Sequence, residues 1–216
     1  MTAAACPTPE LARSRSPYAD APRLPPGEGL TAAEILGSAA PARLELEIGP
    51  GRGGFIIERL AADPATHIVG LEIRLKWASL VDDRVRASGH GGRGRVFAED
   101  VRLALPRFRE GSLSHVFIHF PDPWWKKRHE KRKVLNERFV KQIERVLVSG
   151  GSLHYWTDVL DRFEATLELL AKETTLVGPL DVPEREPEHD LDYRTHFERR
   201  TRLAELPVYR AEFRKP

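Results

Sequence analysis

The chain has 216 residues with 34 Lys and Arg against 32 Asp and Glu, so its formal charge of +2 does not announce a nucleic-acid binder. Any electrostatic argument must rest on where the cations cluster. Cys6 is the single cysteine, which excludes an intrachain disulfide, and no apolar run reaches the roughly 18 residues needed to span a membrane.

A chain of this length holds one domain, or one domain with appendages, and can bury a substantial core. Residues 1–29 contain six prolines and few large apolar side chains. Such a segment buries too little surface to offset its ordering entropy, so 1–29 is expected to be a disordered or extended tail. Residues 30–216 are expected to form the single domain. Arg13, Arg15 and Arg23 in the tail are balanced by Glu10, Asp20 and Glu28. The N-terminus lacks the continuous apolar segment of a secretory signal, and the cytoplasm is the expected compartment.

From Arg43 the pattern alternates. Leu44 to Ile48 reads as a strand, followed by a glycine loop and a helix carrying Phe55, Ile56, Ile57 and Leu60. His67 to Ile73 is a second strand with a helix after it, Val96 to Ala98 a third, and Leu113 to Phe120 a fourth. Leu135, Phe139, Ile143, Val146 and Leu147 recur at helical spacing, and that helix is expected to end at Ser149-Gly150-Gly151. Ser152 to Thr157 is a fifth strand, and Leu160, Phe163, Leu167 and Leu170 mark a last helix. Alternation of this kind predicts an α/β fold: a doubly wound, mostly parallel Rossmann-like sheet with helices on both faces. Ligands bind such sheets outside the carboxyl ends of the strands.

The chemistry-bearing residues fall at those ends. Gly49-Pro50-Gly51-Arg52-Gly53-Gly54 satisfies G-x-G-x-x-G, a weak signal shared by nicotinamide, flavin and S-adenosylmethionine folds. Glu47, two residues before Gly49, would repel a pyrophosphate but could bind the ammonium end of S-adenosylmethionine. Glu72 ends the second strand at the spacing of a ribose-binding carboxylate. Asp100 ends the third strand, where it can meet an adenine, cap a helix over 101–107, or do both. Asp158 ends the fifth strand, where it can bind substrate or cap the helix that follows. His115 and His119 stand i, i+4 on a strand, about 13 Å apart, too far to chelate one ion, and no metal is expected.

The most distinctive stretch is 120–133, Phe-Pro-Asp-Pro-Trp-Trp-Lys-Lys-Arg-His-Glu-Lys-Arg-Lys. Pro121 and Pro123 restrict the backbone around Asp122. Six cations then follow with one acid, Glu130, among them. Lys126, Arg128, Lys131, Arg132 and Lys133 suit phosphate contacts, which supply affinity and orientation. Cations at a helix start oppose the macrodipole, which favours a functional role. Trp124 and Trp125 could stack on a base or a ribose.

Together with Leu46-Glu47-Ile48-Gly49-Pro50-Gly51 and Thr195-His196-Phe197-Glu198, this stretch resembles the tRNA (guanine-N7-)-methyltransferases, class I S-adenosylmethionine-dependent enzymes. The resemblance runs from about Arg43 to Lys215 and implies methyl transfer to N7 of a variable-loop guanosine, conventional position 46. It implies Glu47, Gly49, Glu72, Asp100 and Asp122 as cofactor contacts, with Asp122 as the active-site aspartate. It implies substrate contacts at Lys126, Asp158, Thr195, His196, Phe197 and Glu198, and RNA contacts at Arg128, His129, Lys131, Arg132 and Lys133. The expected partner is tRNA, with no membrane and no obligate protein partner; monomer and homodimer both remain open. Trp125 stands where the family often has a small residue, proline or histidine, and Arg199-Arg200-Thr201 departs from the commoner glycine-containing sequence. Two other functions share the glycine loop: a nicotinamide-dependent oxidoreductase, which has no use for 120–133, and a tRNA-binding module with an inactive methyltransferase fold.

Overall fold

The computed structural model describes residues 17–37, 43–121, 135–182, 203 and 206–216. In chain order these form α1 (Ala32–Leu36), β1 (Leu44–Ile48), α2 (Gly54–Ala62), β2 (His67–Glu72), α3 (Leu75–Ala87), β3 (Gly94–Ala98) and α4 (Val101–Ala104). A 3-10 turn at Leu105–Arg107 leads to β4 (Leu113–His119), α5 (Glu137–Val146), β5 (Leu147–Thr157), α6 (Leu160–Glu173), β6 (Val177–Leu180) and β7 (Tyr209–Arg214).

These strands make one sheet in the order β3-β2-β1-β4-β5-β7-β6. The first five pair in parallel, and β7 runs antiparallel to both of its neighbours. Strand order reverses between β1 and β4, so the crevice at their carboxyl ends is the topological switch point of the sheet. Every residue of β1 is buried, as expected for a strand with a paired neighbour on each edge and a covered face on each side. One face carries the larger apolar core, which includes Leu46, Ile48, Val116 and Ile118 from the sheet with α5 and Leu170 of α6. On the opposite face, Phe55, Ile56 and Leu60 of α2 and Ala78, Val81 and Val85 of α3 pack on Ile68 and Val96.

A buried acid ties α3 to β3. Asp82, fully buried, accepts from Arg95 Nε at 2.8 Å and from the Val96 N–H at 2.9 Å, and Arg86 Nε lies 3.2 Å away. Removing both arginines would strand the Asp82 charge in the core, at a cost of about 3–5 kcal/mol, whereas Arg86 is largely exposed and could return to water if Asp82 were lost.

Three local expectations differ from the structure. Residues 17–29, expected within a disordered or extended tail, pack on the domain: after a turn at 17–20, Ala21 and Leu24 are buried, and Pro22 O accepts the Ala98 N–H at 2.7 Å. Arg107 Nε donates to Gly27 O at 2.9 Å. Prolines have little backbone freedom to lose, so a few backbone hydrogen bonds and two apolar side chains suffice to hold the segment. The helix through Phe139 and Ile143 ends at Val146, before the glycines, because Leu147 is drawn into the sheet opposite Leu113. Gly150, at φ 75, serves the register shift within β5 instead of a helix cap. Strands β6 and β7 were not anticipated, although Tyr209-Arg-Ala-Glu-Phe-Arg214 alternates and buries Ala211 and Phe213.

Candidate active site

The glycine loop leaves β1 at the switch point. Its entry is held by the Gly49 N–H, which donates to Leu71 O at 2.9 Å, and its turn by the Gly53 N–H, which donates to Pro50 O at 2.7 Å. Gly53 sits at φ 74 as the N-cap of α2, with no side chain capping the helix. A Cβ there would stand 2.2 Å from Val81 Cγ1, so only glycine lets the loop lie this close to α3. An α-helix opening on bare N–H groups leaves donors for a ligand.

Glu47 lies on the penultimate position of β1 and is 3 % exposed. Its Oε1 is 3.3 Å from His119 Nδ1 at the end of β4, and its Oε2 is buried without a hydrogen-bond partner among the described residues. Burial pushes the carboxyl up to about 8, by stripping the charged form of its hydration. By contrast Glu45, two residues earlier on the same face, is held by Arg59 Nε at 2.9 Å and Nη2 at 2.7 Å. Among the described residues, the carboxylate nearest the glycine loop is therefore the one without a cationic partner, as a site for a cationic ligand requires.

Glu72 is buried at the end of β2, where Oε1 accepts the Arg74 N–H at 2.9 Å. Next to it Ile73 is 64 % exposed, an apolar surface at the strand end. Asp100 is the N-cap of α4: Oδ1 accepts the Arg102 N–H at 3.0 Å and Arg102 Nε at 2.9 Å. The Arg102 side chain holds the Asp100 carboxyl below its ordinary range. The capping role is thus real, and it fixes the carboxylate at the end of β3. Asp158 is exposed after β5 and does not cap α6; that position belongs to Val159, whose N–H donates to Thr157 Oγ1 at 3.2 Å.

Strand β4 ends in strained backbone. Phe120 adopts φ 47, rare for a non-glycine residue, while its N–H donates to Trp156 O at 2.8 Å and its ring is buried. Strain of this kind costs about 1–3 kcal/mol and persists where the surroundings over-determine it. Pairing of Ile48 with Ile118 brings the first glycine of the loop and the Phe120-Pro121 start of the Phe-Pro-Asp-Pro stretch to the same level on neighbouring strands. Asp122, Lys126, Arg128, His129, Lys131, Arg132, Lys133, Thr195, His196, Phe197 and Glu198 lie outside the described residues, as do Trp124 and Trp125.

The structure thus brings Glu47, Gly49, Glu72 and Asp100 to one end of three neighbouring strands, β1, β2 and β3. His119, considered from the sequence only as a metal ligand, stands beside Glu47 instead. The signal was available: β1 and β4 are neighbours across the switch point, His119 closes β4, and Glu47 stands one residue before the end of β1. Among the described residues no group of three His, Cys, Asp or Glu side chains could hold a metal ion, and no helix is long and apolar enough to cross a membrane.

Comparison with known proteins agrees with this geometry. The family described as "Putative methyltransferase" matches residues 41–211. A tRNA (guanine-N(7)-)-methyltransferase of Rhodopirellula baltica is 43% identical over 179 residues, covering 80% of this chain and 66% of its own length. The chain thus spans just under two thirds of that relative. A tRNA (guanine-N(7)-)-methyltransferase of Myxococcus xanthus is 36% identical over 174 residues, covering 80% of this chain and 84% of its own length. Among solved structures, the aminoglycoside resistance methyltransferase NpmB1 aligns with a TM-score of 0.52 at 19% identity, over 88% of this chain and 98% of its own. Geranyl diphosphate methyltransferase in complex with SAM aligns with a TM-score of 0.52 at 16% identity, over 82% and 79%. Those two likenesses show a methyltransferase fold; the sequence relatives show more, and by them the chain belongs to the tRNA (guanine-N(7)-)-methyltransferases.

Proposed function

We propose that this protein transfers the methyl group of S-adenosylmethionine to N7 of a variable-loop guanosine, position 46, in tRNA. The observation that carries this is the meeting, at the β1/β4 switch point, of the start of the Phe-Pro-Asp-Pro stretch with a glycine loop backed by a buried carboxylate that has no cationic partner among the described residues. Glu47 suits the ammonium of the donor and Glu72 its ribose hydroxyls, with Ile73 and Asp100 near the adenine. S-adenosylmethionine supplies an electrophilic methyl on a sulfonium. Guanine N7 has an in-plane lone pair and no proton, so the residues around it need no general base. Their task is alignment, which can lower a barrier by about 7–11 kcal/mol.

Asp122 is assigned to orient the guanine through its N–H groups, to hold the cofactor, or both, and to favour the positive charge that arises on the ring. Lys126, Asp158 and Thr195 to Glu198 are assigned to substrate. Variable-loop bases are unpaired or in tertiary pairs, so the target base must be exposed for transfer. Arg128, His129, Lys131, Arg132 and Lys133 are assigned to the tRNA backbone. Replacing Lys131, Arg132 and Lys133 together by alanine should weaken tRNA binding and flatten its dependence on salt by about two to three contacts. An unchanged slope in binding titrations at several salt concentrations would reject that assignment.

Radiolabelled S-adenosylmethionine with unmodified tRNA, followed by borohydride–aniline mapping, tests the function. Cleavage at one variable-loop guanosine is the expected result. Label without cleavage overturns N7 as the acceptor. No label with tRNA still bound favours a binding module on an inactive fold.

A further inference from the structure

We propose that His119 is a positioning residue for the donor's amino-acid end, holding the Glu47 carboxyl through Nδ1, and that this pair releases one proton when a ligand ammonium arrives. This rests on the S-adenosylmethionine assignment above. The two side chains are each 3 % exposed and meet at 3.3 Å across the switch point. His119 is fixed in place by rings: edge-on to Phe55 at 4.6 Å, tilted against Trp156 at 4.7 Å and against Phe117 at 5.7 Å. A carboxylate left here alone would be a desolvated charge with one hydrogen-bond partner, which is costly.

Among the described residues, the other charges around the pair do not neutralise it. Arg210 of β7 sits over the Trp156 ring at 4.9 Å. Arg59 of α2 is engaged by Glu45 of β1. His154 of β5 is pushed down to about 3 by burial, and so is uncharged near neutrality, with Glu212 of β7 beside it. Burial holds the Glu47 carboxyl protonated to about pH 8, consistent with an empty site that carries no net charge.

The proton balance is then simple. In the empty site the Glu47 O–H faces Nδ1 of a neutral imidazole. When an ammonium binds, that O–H proton leaves to solvent. The imidazole keeps one proton, now on Nδ1, and donates it to the carboxylate. A second proton on the ring would place an imidazolium beside the cationic ligand.

Calorimetric titration of S-adenosylhomocysteine, which keeps the ammonium and lacks the sulfonium, tests this. Titrations near pH 7 in two buffers of different ionisation enthalpy should show about one proton released per ligand by the wild type and none by Glu47→Gln. His119→Asn keeps a donor and should bind within about threefold of wild type. His119→Phe should bind about tenfold more weakly, with a larger deficit at pH 6.5 than at pH 8. If His119→Phe does not fold, as judged by near-ultraviolet circular dichroism, the proton count of wild type against Glu47→Gln still decides. Binding by the wild type without proton release, or wild-type affinity and pH dependence in a folded His119→Phe, overturns the proposal. Absence of any binding by the wild type would instead overturn the cofactor assignment on which it rests.

Discussion

Replacing Asp122 by alanine is expected to lower methyl transfer by at least about 100-fold, the usual cost of losing a pre-aligned electrostatic contact to the reacting groups. The melting temperature should stay within about 2 °C of wild type, because a polar residue in a turn carries little of the core. The expectation follows from the reaction. N7 needs no deprotonation, so the side chain cannot be replaced by a solvent base, and alignment is what the site must supply. Asp122→Asn separates two contributions. It keeps acceptor and turn chemistry but not the charge, so partial activity in Asn over Ala measures alignment, and equal loss in both points to charge. Single-turnover rates with saturating tRNA give the comparison. Undiminished transfer by Asp122→Ala would remove the aspartate from the active site.

Glu47→Gln should separate stability from binding. In the folded protein the Glu47 carboxyl is pushed up to about 8, against an unfolded value near 4.5. Between those values the native state holds a proton that the unfolded chain has released, so wild-type stability falls as pH rises through that window. Glutamine does not titrate. The stability of Glu47→Gln relative to wild type should therefore rise from pH 5 to pH 8, by something on the order of 3 kcal/mol. Binding of S-adenosylhomocysteine should move the other way and weaken about tenfold or more, because a neutral amide cannot match the ammonium. Urea unfolding at several pH values, without ligand, reads the first effect, and titration reads the second. A pH-independent stability difference would mean that the carboxylate is ionised in the empty site. A site that destabilises its own fold until a ligand arrives is the expected form of a stability–function trade-off.

Much of this architecture was legible before any coordinates. Strands β1 to β4 coincide with apolar runs from Leu44, His67, Val96 and Leu113, because a parallel strand buried on both faces must be apolar along its length. Acids interrupting that rule, Glu47 in β1 and Glu72 closing β2, were legible for the same reason: an ionisable group in a buried strand is costly unless it serves something. The helix end misplaced onto Ser149-Gly150-Gly151 shows where local signals fail. Glycine there suited a helix cap, but burial of Leu147 opposite Leu113 won, and the glycine became part of a strand irregularity.

Sequence alone determined the fold class, the acids at the strand ends and the Phe-Pro-Asp-Pro-Trp stretch, since periodicity, spacing and motif are local properties of the chain. Tertiary structure decided which of those acids already have partners. Glu45 has Arg59, Asp100 has Arg102, and Glu47 has, among the described residues, only the imidazole of His119, 72 positions away. Those pairings follow from strand order and register, which bring residues from distant parts of the chain to one crevice, and burial there sets the charge each can carry.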